Sequence, residues 1–407
     1  MGYLDAEKRL GFPLVEQREG SATLLVPRAE DPAHRYIPSR STVFYNPRMA
    51  FNRDFAVAFL KSLRKMLDRD LVVCEPLAGC GIRAIRFAVE VEGIKRIVVN
   101  DINPKAAELI RLNAARAGIA GKVEVHNSEA NVFLSRFTKP GNRMDYIDVD
   151  PFGSPSHYIE ASLMAMRSNG VLALTATDMA PLCGVHSKAC VRRYGVKPLR
   201  VEYCHELAVR IIIGRTVLAA VRRDLAVKPL LCHSTDHYIR VYLQIGRGAR
   251  NADLTLGNMG YIIQCFNCLH RSLVRRLFPR LENCCEACGS VTDFAGPLWL
   301  GNLWDGEVLN RVASEADDRS LSERQRIVAT LEKIQGEVNL PPTYFVLSHF
   351  CDRFNLQVPK FSNFIRHVRD EGYTISTTHF HPHGIKTDAP ARVLRGILEE
   401  LNPPSKA

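Results

Sequence analysis

Residues 71–101 carry the feature that most narrows the possible folds. An apolar run, LVVCEPLAGCG, passes through two glycines into IRAIRFAVE, and a second apolar run then closes on Asp101. Gly79 and Gly81 allow a tight turn and a close backbone approach to a ligand. The helix expected from about Ile82 offers its N-terminal amides to polar or anionic groups. The spacing is G-x-G-x-x-A, ending on Ala84, and Asp101 stands at the end of the next strand, placed to accept from two ribose hydroxyls. This layout belongs to a doubly wound α/β sheet. Such sheets bind dinucleotides and S-adenosylmethionine alike, and the loop alone does not choose between them.

The pattern around the loop supports the same sheet. Strands are expected over 71–74, 96–100, 123–126, 146–149, 171–175 and 238–245, interleaved with helical periods. Asn103-Pro104 supplies an N-cap and a first-turn proline for one of those helices. After GRGARNADLTLGNMG the character changes to cysteine clusters and then helices. A boundary near Arg250 is therefore expected, giving domains 1–250 and 251–407, with a loose Pro-rich tail from Asn402 to Ala407. At 407 residues, 46% hydrophobic and 24% charged, the chain can bury two or three domains. No secretory leader pattern and no window long enough to span a membrane occur, so a cytoplasmic protein without membrane contact is expected, a monomer being favoured. The formal charge of +11 favours a polyanionic partner.

The stretch YIDVDPFGSP, residues 146–155, chooses among the sheet's possible cofactors. An apolar strand here ends in two carboxylates, a proline, an aromatic and a glycine, and an unpartnered buried carboxylate is costly. A nicotinamide enzyme has no evident use for that ending. A methyltransferase acting on an exocyclic amine does, because the amine lone pair is delocalised into the base and its N–H must be held by an acceptor. Asp148 or Asp150 and the carbonyl of Pro151 can accept those hydrogens, and Phe152 can stack on the base. Guanine, with adjacent N1–H and N2 donors, suits one bidentate carboxylate. A Mg2+-binding aspartate pair is the alternative for this stretch alone.

Five of the 12 cysteines fall between Cys265 and Cys288. Cys265, Cys268, Cys285 and Cys288 form C-x2-C-x16-C-x2-C, two knuckles that close a tetrahedral structural Zn2+ site as in a zinc ribbon. Cys284 in place of Cys285 is a shifted alternative that breaks the spacing. Further on, helices are expected over 321–338 and 342–355. Phe361, Phe364, Ile365 and Val368 share one helix face, and a strand over 373–380 would complete a winged-helix-like segment. His379, His381 and His383 with Lys386 suggest an RNA-facing loop, and Arg192, Arg193, Lys197, Arg275 and Arg276 are phosphate-binding candidates.

These stretches together identify a family. VFYNPRMAFNRD (43–54), GCGIRAIRF (79–87), NDINP (100–104), DVDPFGSP (148–155), TATDMAPLCGVH (175–186), GPLWLG (296–301) and THFHPHGIKT (378–387) resemble the tRNA guanine N2-dimethyltransferases that modify position 26. The resemblance implies a Rossmann-like class I methyltransferase sheet, a C-terminal α+β tRNA-binding domain, S-adenosyl-L-methionine as donor, and two successive methyl transfers to one guanine N2. It also implies that Arg53, Gly79, Gly81, Arg83, Asp101, Glu129 and Ala130 bind the donor, Glu129 lying where the adenine amine is expected. Asp148, Asp150, Pro151 and Phe152 form the catalytic turn, and Thr177, Asp178, Pro181 and Cys183 a wall of the guanine pocket. A nicotinamide oxidoreductase and an inert tRNA-binding protein are the competing classes; the intact DVDPFG argues against the second.

Overall fold

The computed structural model describes residues 3–28 and 41–402; of the expected tail, residues 403–407 lie outside the described residues. A hairpin comes first, β1 (Leu14–Glu19) against β2 (Ala22–Pro27), turning through Gly20-Ser21 with Gly20 at φ 58°. The central sheet follows: β3 (Leu71–Glu75), β4 (Ile94–Asn100), β5 (Val123–His126), β6 (Met144–Val149), β7 (Met166–Ala176), β8 (Leu225–Thr235) and β9 (Tyr238–Arg247). Its order is β5-β4-β3-β6-β7-β9-β8. β3 runs parallel to β4 and β6, β4 to β5, and β6 to β7. The winding reverses between β3 and β6, where ligands of such sheets bind beyond the carboxyl ends of the strands. Each strand expected for this sheet is present, while β8 and the preceding hairpin are additional.

The chain divides into two compact units that are interleaved in sequence. One contains residues through Thr175 with Tyr242–Gly246 and Glu307–Ala329; the other contains Ala176–Val241, Arg247–Gly306 and the chain from Thr330. The division differs from a single boundary near Arg250 because Ala176–Val241 falls in the second unit and Glu307–Ala329 in the first.

In the first unit, all five residues of β3 are buried, as befits a strand covered on both faces. The helix Ala50–Leu67 packs Phe59 on Tyr242 with ring centroids 4.0 Å apart. The same helix buries Asp54, which pairs with Arg86 at 2.6 Å and accepts from Ser322 Oγ at 3.0 Å and Glu323 N at 2.8 Å. These partners meet the requirement that a buried charge be paired and hydrogen-bonded.

In the second unit, the helix Cys204–Val221 is buried along most of its length. Gly214 lets it approach the strand beside it, since a Cβ there would lie 3.0 Å from Leu298 Cα. Strands β10 (Met259–Cys265), β11 (Arg271–Val274) and β12 (Thr292–Trp299) form an antiparallel sheet ordered β11-β10-β12, the zinc-ribbon-like insert. Then β13 (Phe345–Val346), β14 (Ile375–Thr377) and β15 (Gly384–Thr387) form a sheet ordered β13-β15-β14 beside helices Leu347–Phe354, Phe361–Asp370 and Ala391–Leu401, the winged-helix-like segment. Phe364 and Val368 are buried in its core. The expected strand over 373–380 is reduced to β14, and the helix expected from Pro342 starts only at Leu347.

The RNA-facing reading of Lys386 and His379 is corrected by burial. Lys386 Nζ lies 2.7 Å from Glu206 and 3.9 Å from Glu337, and His379 Nδ1 contacts Glu337 at 2.6 Å, all of them buried. Burial raises the Glu206 pKa, but Lys386 and Arg210 outweigh it and hold the carboxyl down at about 2. Pro382 and His383 remain exposed.

Candidate active site

The glycine loop after β3 is fixed from three sides. Cys80 N donates to Phe44 O at 3.1 Å, Ala78 N to Asn100 O at 3.0 Å, and Gly79 N to Asp101 Oδ2 at 2.8 Å. Gly79 has φ +55°, and a Cβ there would sit 2.7 Å from Phe44 O, so no other residue fits without displacing the backbone. The second oxygen of Asp101 accepts from Asn103 N at 2.9 Å. Burial raises the Asp101 carboxyl above its usual range, against these two amides, which lower it. Ile102, next in the chain, is 65% exposed. Asn103 caps the following helix and donates through Nδ2 to Thr42 O at 2.7 Å. The FYNP arm and the end of β4 are thereby tied to the loop.

The turn after β6 faces that loop across the point of strand reversal. Asp148, within β6, is wholly buried and accepts from Tyr146 OH at 2.8 Å. Asp150, beyond the strand, has its side chain 18% exposed and pairs with Arg83. Arg83 also donates to Asn52 Oδ1 at 2.8 Å, and its Nε lies 3.6 Å from Asp148 and 3.4 Å from Glu75. One guanidinium therefore serves three carboxyls. Pro151 is buried, whereas Phe152 is 67% exposed with its ring edge-on to Phe44, centroids 4.6 Å apart. Of the two aspartates, Asp150 is the one with an open side.

Glu75 resolves the excess of charge. Burial pushes its carboxyl up to about 8 despite the Arg83 ion pair, and the Asp148 and Asp150 charges push the same way. A carboxyl whose folded pKa exceeds its unfolded value stabilises the fold most below the unfolded pKa, and that contribution is lost as pH rises toward 8. Glu75→Gln is therefore expected to gain thermal stability relative to wild type as pH is raised from 5 to 9. Melting curves of both proteins across that range would show the gap widening; a constant gap would contradict a protonated Glu75.

Arg53 was expected to reach the donor directly. In the structure it forms two bonds of 2.6 Å to Glu19 of β1 and one of 3.1 Å to Asn46 O. Arg86 shares Glu19 at 2.8 Å. Burial raises the Glu19 pKa, and the two guanidiniums outweigh it and hold the carboxyl below its ordinary value. Arg53 thus anchors the hairpin to the arm, and Arg83 belongs to the acidic cluster. Glu129 caps the helix starting at Ala130, accepting from Val132 N at 2.9 Å, with Ala130 buried beneath it. Asn52 Nδ2 is buried and has no protein partner among the described residues. The exposed Ile102 leaves an open surface next to Asp101 in the chain.

The four expected cysteines do converge. Their sulfurs lie within 4.8 Å of one another, with Cys265–Cys288 and Cys268–Cys285 at 3.6 Å. Zn–S bonds of about 2.3 Å in a tetrahedron put sulfurs about 3.8 Å apart, so Zn2+ fits this set. Cys284 is exposed and donates to Gly289 O at 3.4 Å, outside the cluster.

In the second unit, Asp178 accepts from Tyr194 OH at 2.6 Å and Arg193 at 3.0 Å, and Lys197 lies 4.2 Å from the Phe294 ring centroid. Arg275 donates to Leu300 O at 3.2 Å, and Arg192 and Arg276 are exposed. Sequence reading missed Glu75, Asn52, Phe44 and Ile102. Glu75 carried the same signal as Asp148, an acid in an apolar strand; Asn52, inside a helical period, carried none.

A family model described as N2,N2-dimethylguanosine tRNA methyltransferase matches residues 20–399. A tRNA (guanine(26)-N(2))-dimethyltransferase of Methanothermobacter thermautotrophicus is 36% identical over 390 residues, covering 96% of this chain and 100% of the relative. A tRNA (guanine(26)-N(2)/guanine(27)-N(2))-dimethyltransferase of Aquifex aeolicus is 37% identical over 393 residues, covering 94% and 95%. Among solved structures, the complex of Trm1 from Pyrococcus horikoshii with S-adenosyl-L-methionine matches with a TM-score of 0.83 at 32% identity, covering 95% of this chain and 100% of that one.

Proposed function

This chain belongs to the N2,N2-dimethylguanosine tRNA methyltransferase family, and from that premise we propose how its residues divide the work of methyl transfer. It is an S-adenosyl-L-methionine-dependent tRNA (guanine26-N2)-dimethyltransferase. The donor supplies an electrophilic methyl group on a sulfonium centre. Gly79 and Gly81 leave room for it, Asp101 accepts from its ribose, Ile102 covers its adenine, and Glu129 with Ala130 borders the adenine amine. Arg53 supports that site through Glu19, and Arg83 sets its charge.

The observation that carries the catalytic assignment is the pair Asp148 and Asp150 sharing Arg83 at the carboxyl end of β6, only Asp150 having an open side. Asp150 accepts the guanine N2–H and N1–H, the Pro151 carbonyl accepts the other amine hydrogen, and Phe152 stacks on the base. With Glu75 protonated, two carboxylates face one guanidinium. The remaining negative charge favours a cationic donor and an amine that becomes positive as it is methylated. Asp148 holds Arg83 and Tyr146 in place.

Residues 251–407 contribute tRNA contact through Arg275, Arg276 and, in the winged-helix-like segment, Arg366 and Arg369, with Arg192, Arg193 and Lys197 as further phosphate ligands. The four-cysteine site holds Zn2+ structurally. No helix among the described residues is long and apolar enough to cross a membrane. With tRNA as its substrate the enzyme would work in the cytoplasm, a monomer being favoured.

Incubation of unmodified tRNA with labelled S-adenosylmethionine, followed by mapping of N2-methylated guanosines, tests the reading. Label at guanine 26 rising from one to two methyl groups is expected, and label at guanine 27 would extend the substrate range. Asp101→Ala is expected to weaken donor binding about 10- to 100-fold, hydrogen bonds to a charged group being worth about 1.5–3 kcal/mol. Unchanged donor affinity by calorimetry would remove Asp101 from the site.

A further inference from the structure

A second group of soft ligands lies in the second unit, away from the four-cysteine knuckles in sequence. Cys183, Cys204 and His205 bring two sulfurs and a ring nitrogen within 4.8 Å of one another. Cys183 closes the turn after β7, and Cys204 and His205 open the helix Cys204–Val221. Two further features hold the group in shape. Gly184 has φ +82°, and a Cβ there would lie 2.7 Å from the Leu199 backbone, so the turn is pressed onto the segment leading to Cys204. His205 Nδ1 lies 3.2 Å from Phe380 O. A carbonyl only accepts, so Nδ1 carries the proton and the lone pair of the neutral ring is on Nε2. Metal-bound histidines are held by this kind of outer contact.

We propose that Cys183, Cys204 and His205 bind a thiophilic divalent cation, Zn2+, through two thiolates and one imidazole, with a fourth position left to solvent. The donor set suits zinc, and three protein ligands with one open position is an established arrangement for that ion. Binding releases two thiol protons per metal, so two thiolates and a neutral ring balance the cation's charge. The metal would clasp the turn containing Asp178 to the start of the buried helix.

Zinc content of the purified full chain, by elemental analysis after removal of free metal, tests this site. Two zinc ions per wild-type chain are expected, and one fewer in Cys183→Ser and in Cys204→Ser, whereas Cys190→Ser keeps both. An unchanged zinc content in Cys183→Ser and Cys204→Ser overturns the proposal. Should those variants fail to fold, alkylation of the wild-type protein decides. Cys183 and Cys204 are expected to resist iodoacetamide until a chelator is added, as read by peptide mass mapping. Equal labelling with and without chelator, or a Cys183–Cys204 disulfide in the native protein, overturns it.

Discussion

Asp150→Asn is expected to slow single-turnover methyl transfer about 100-fold, the loss of roughly 3 kcal/mol of transition-state stabilisation, while tRNA binds with nearly wild-type affinity. Asparagine keeps the size and one acceptor but lacks the charge that offsets the positive character developing on guanine N2. The variant also unpairs one of the Arg83 contacts, so donor affinity is measured beside the rate to separate the two effects. Asp148→Asn should behave differently. Its carboxylate is wholly buried between Tyr146 and Arg83, so the loss should fall on thermal stability as well as on turnover. Phe152→Ala, which removes an exposed ring set edge-on against Phe44, should lower the rate with little effect on stability. Wild-type rates in Asp150→Asn would reduce this turn to a structural element.

Replacing any of Cys265, Cys268, Cys285 or Cys288 by serine is expected to release one zinc ion and unfold β10–β12 locally. Structural zinc contributes about 10–16 kcal/mol of binding free energy in finger peptides, comparable to the whole stability of a domain, about 5–15 kcal/mol. Cys284→Ser, one residue away, should keep the metal because its sulfur lies outside the cluster. Zinc stoichiometry with amide exchange across β10–β12 distinguishes the cases. Metal loss in Cys284→Ser with retention in Cys285→Ser would shift the ligand register.

What could be read from the sequence was local. Gly79, Gly81 and Asp101 announce a strand-turn-helix-strand unit through spacing alone, and the four cysteines announce their site the same way. The β1–β2 hairpin was also within reach, since Gly20-Ser21 is a two-residue hairpin signal directly before the apolar run ATLLVP. β8 was hidden by Lys228-Pro229 in its middle, proline being a poor sign of a strand. Partners distant in sequence stayed hidden. Arg53 meets Glu19 across 34 residues, and Lys386 meets Glu206 across 180, so a basic side chain that reads as ligand-facing also has an internal counter-ion. Nothing in the neighbourhood of either cation names its acid.

The buried Asp54 has a consequence for the order in which the enzyme can be assembled during synthesis. Its carboxylate sits in the helix covering the donor sheet, yet the Ser322 hydroxyl and Glu323 amide that bond to it lie 268 and 269 residues downstream. Strands β3–β7 leave the ribosome long before those groups exist. At about 5–20 residues per second roughly 13–54 s separate the synthesis of Asp54 from that of these two partners. A chain stalled before Ser322 should therefore carry every residue assigned here to the donor and to the catalytic turn, yet remain more protease-sensitive at the helix Ala50–Leu67 than the finished protein.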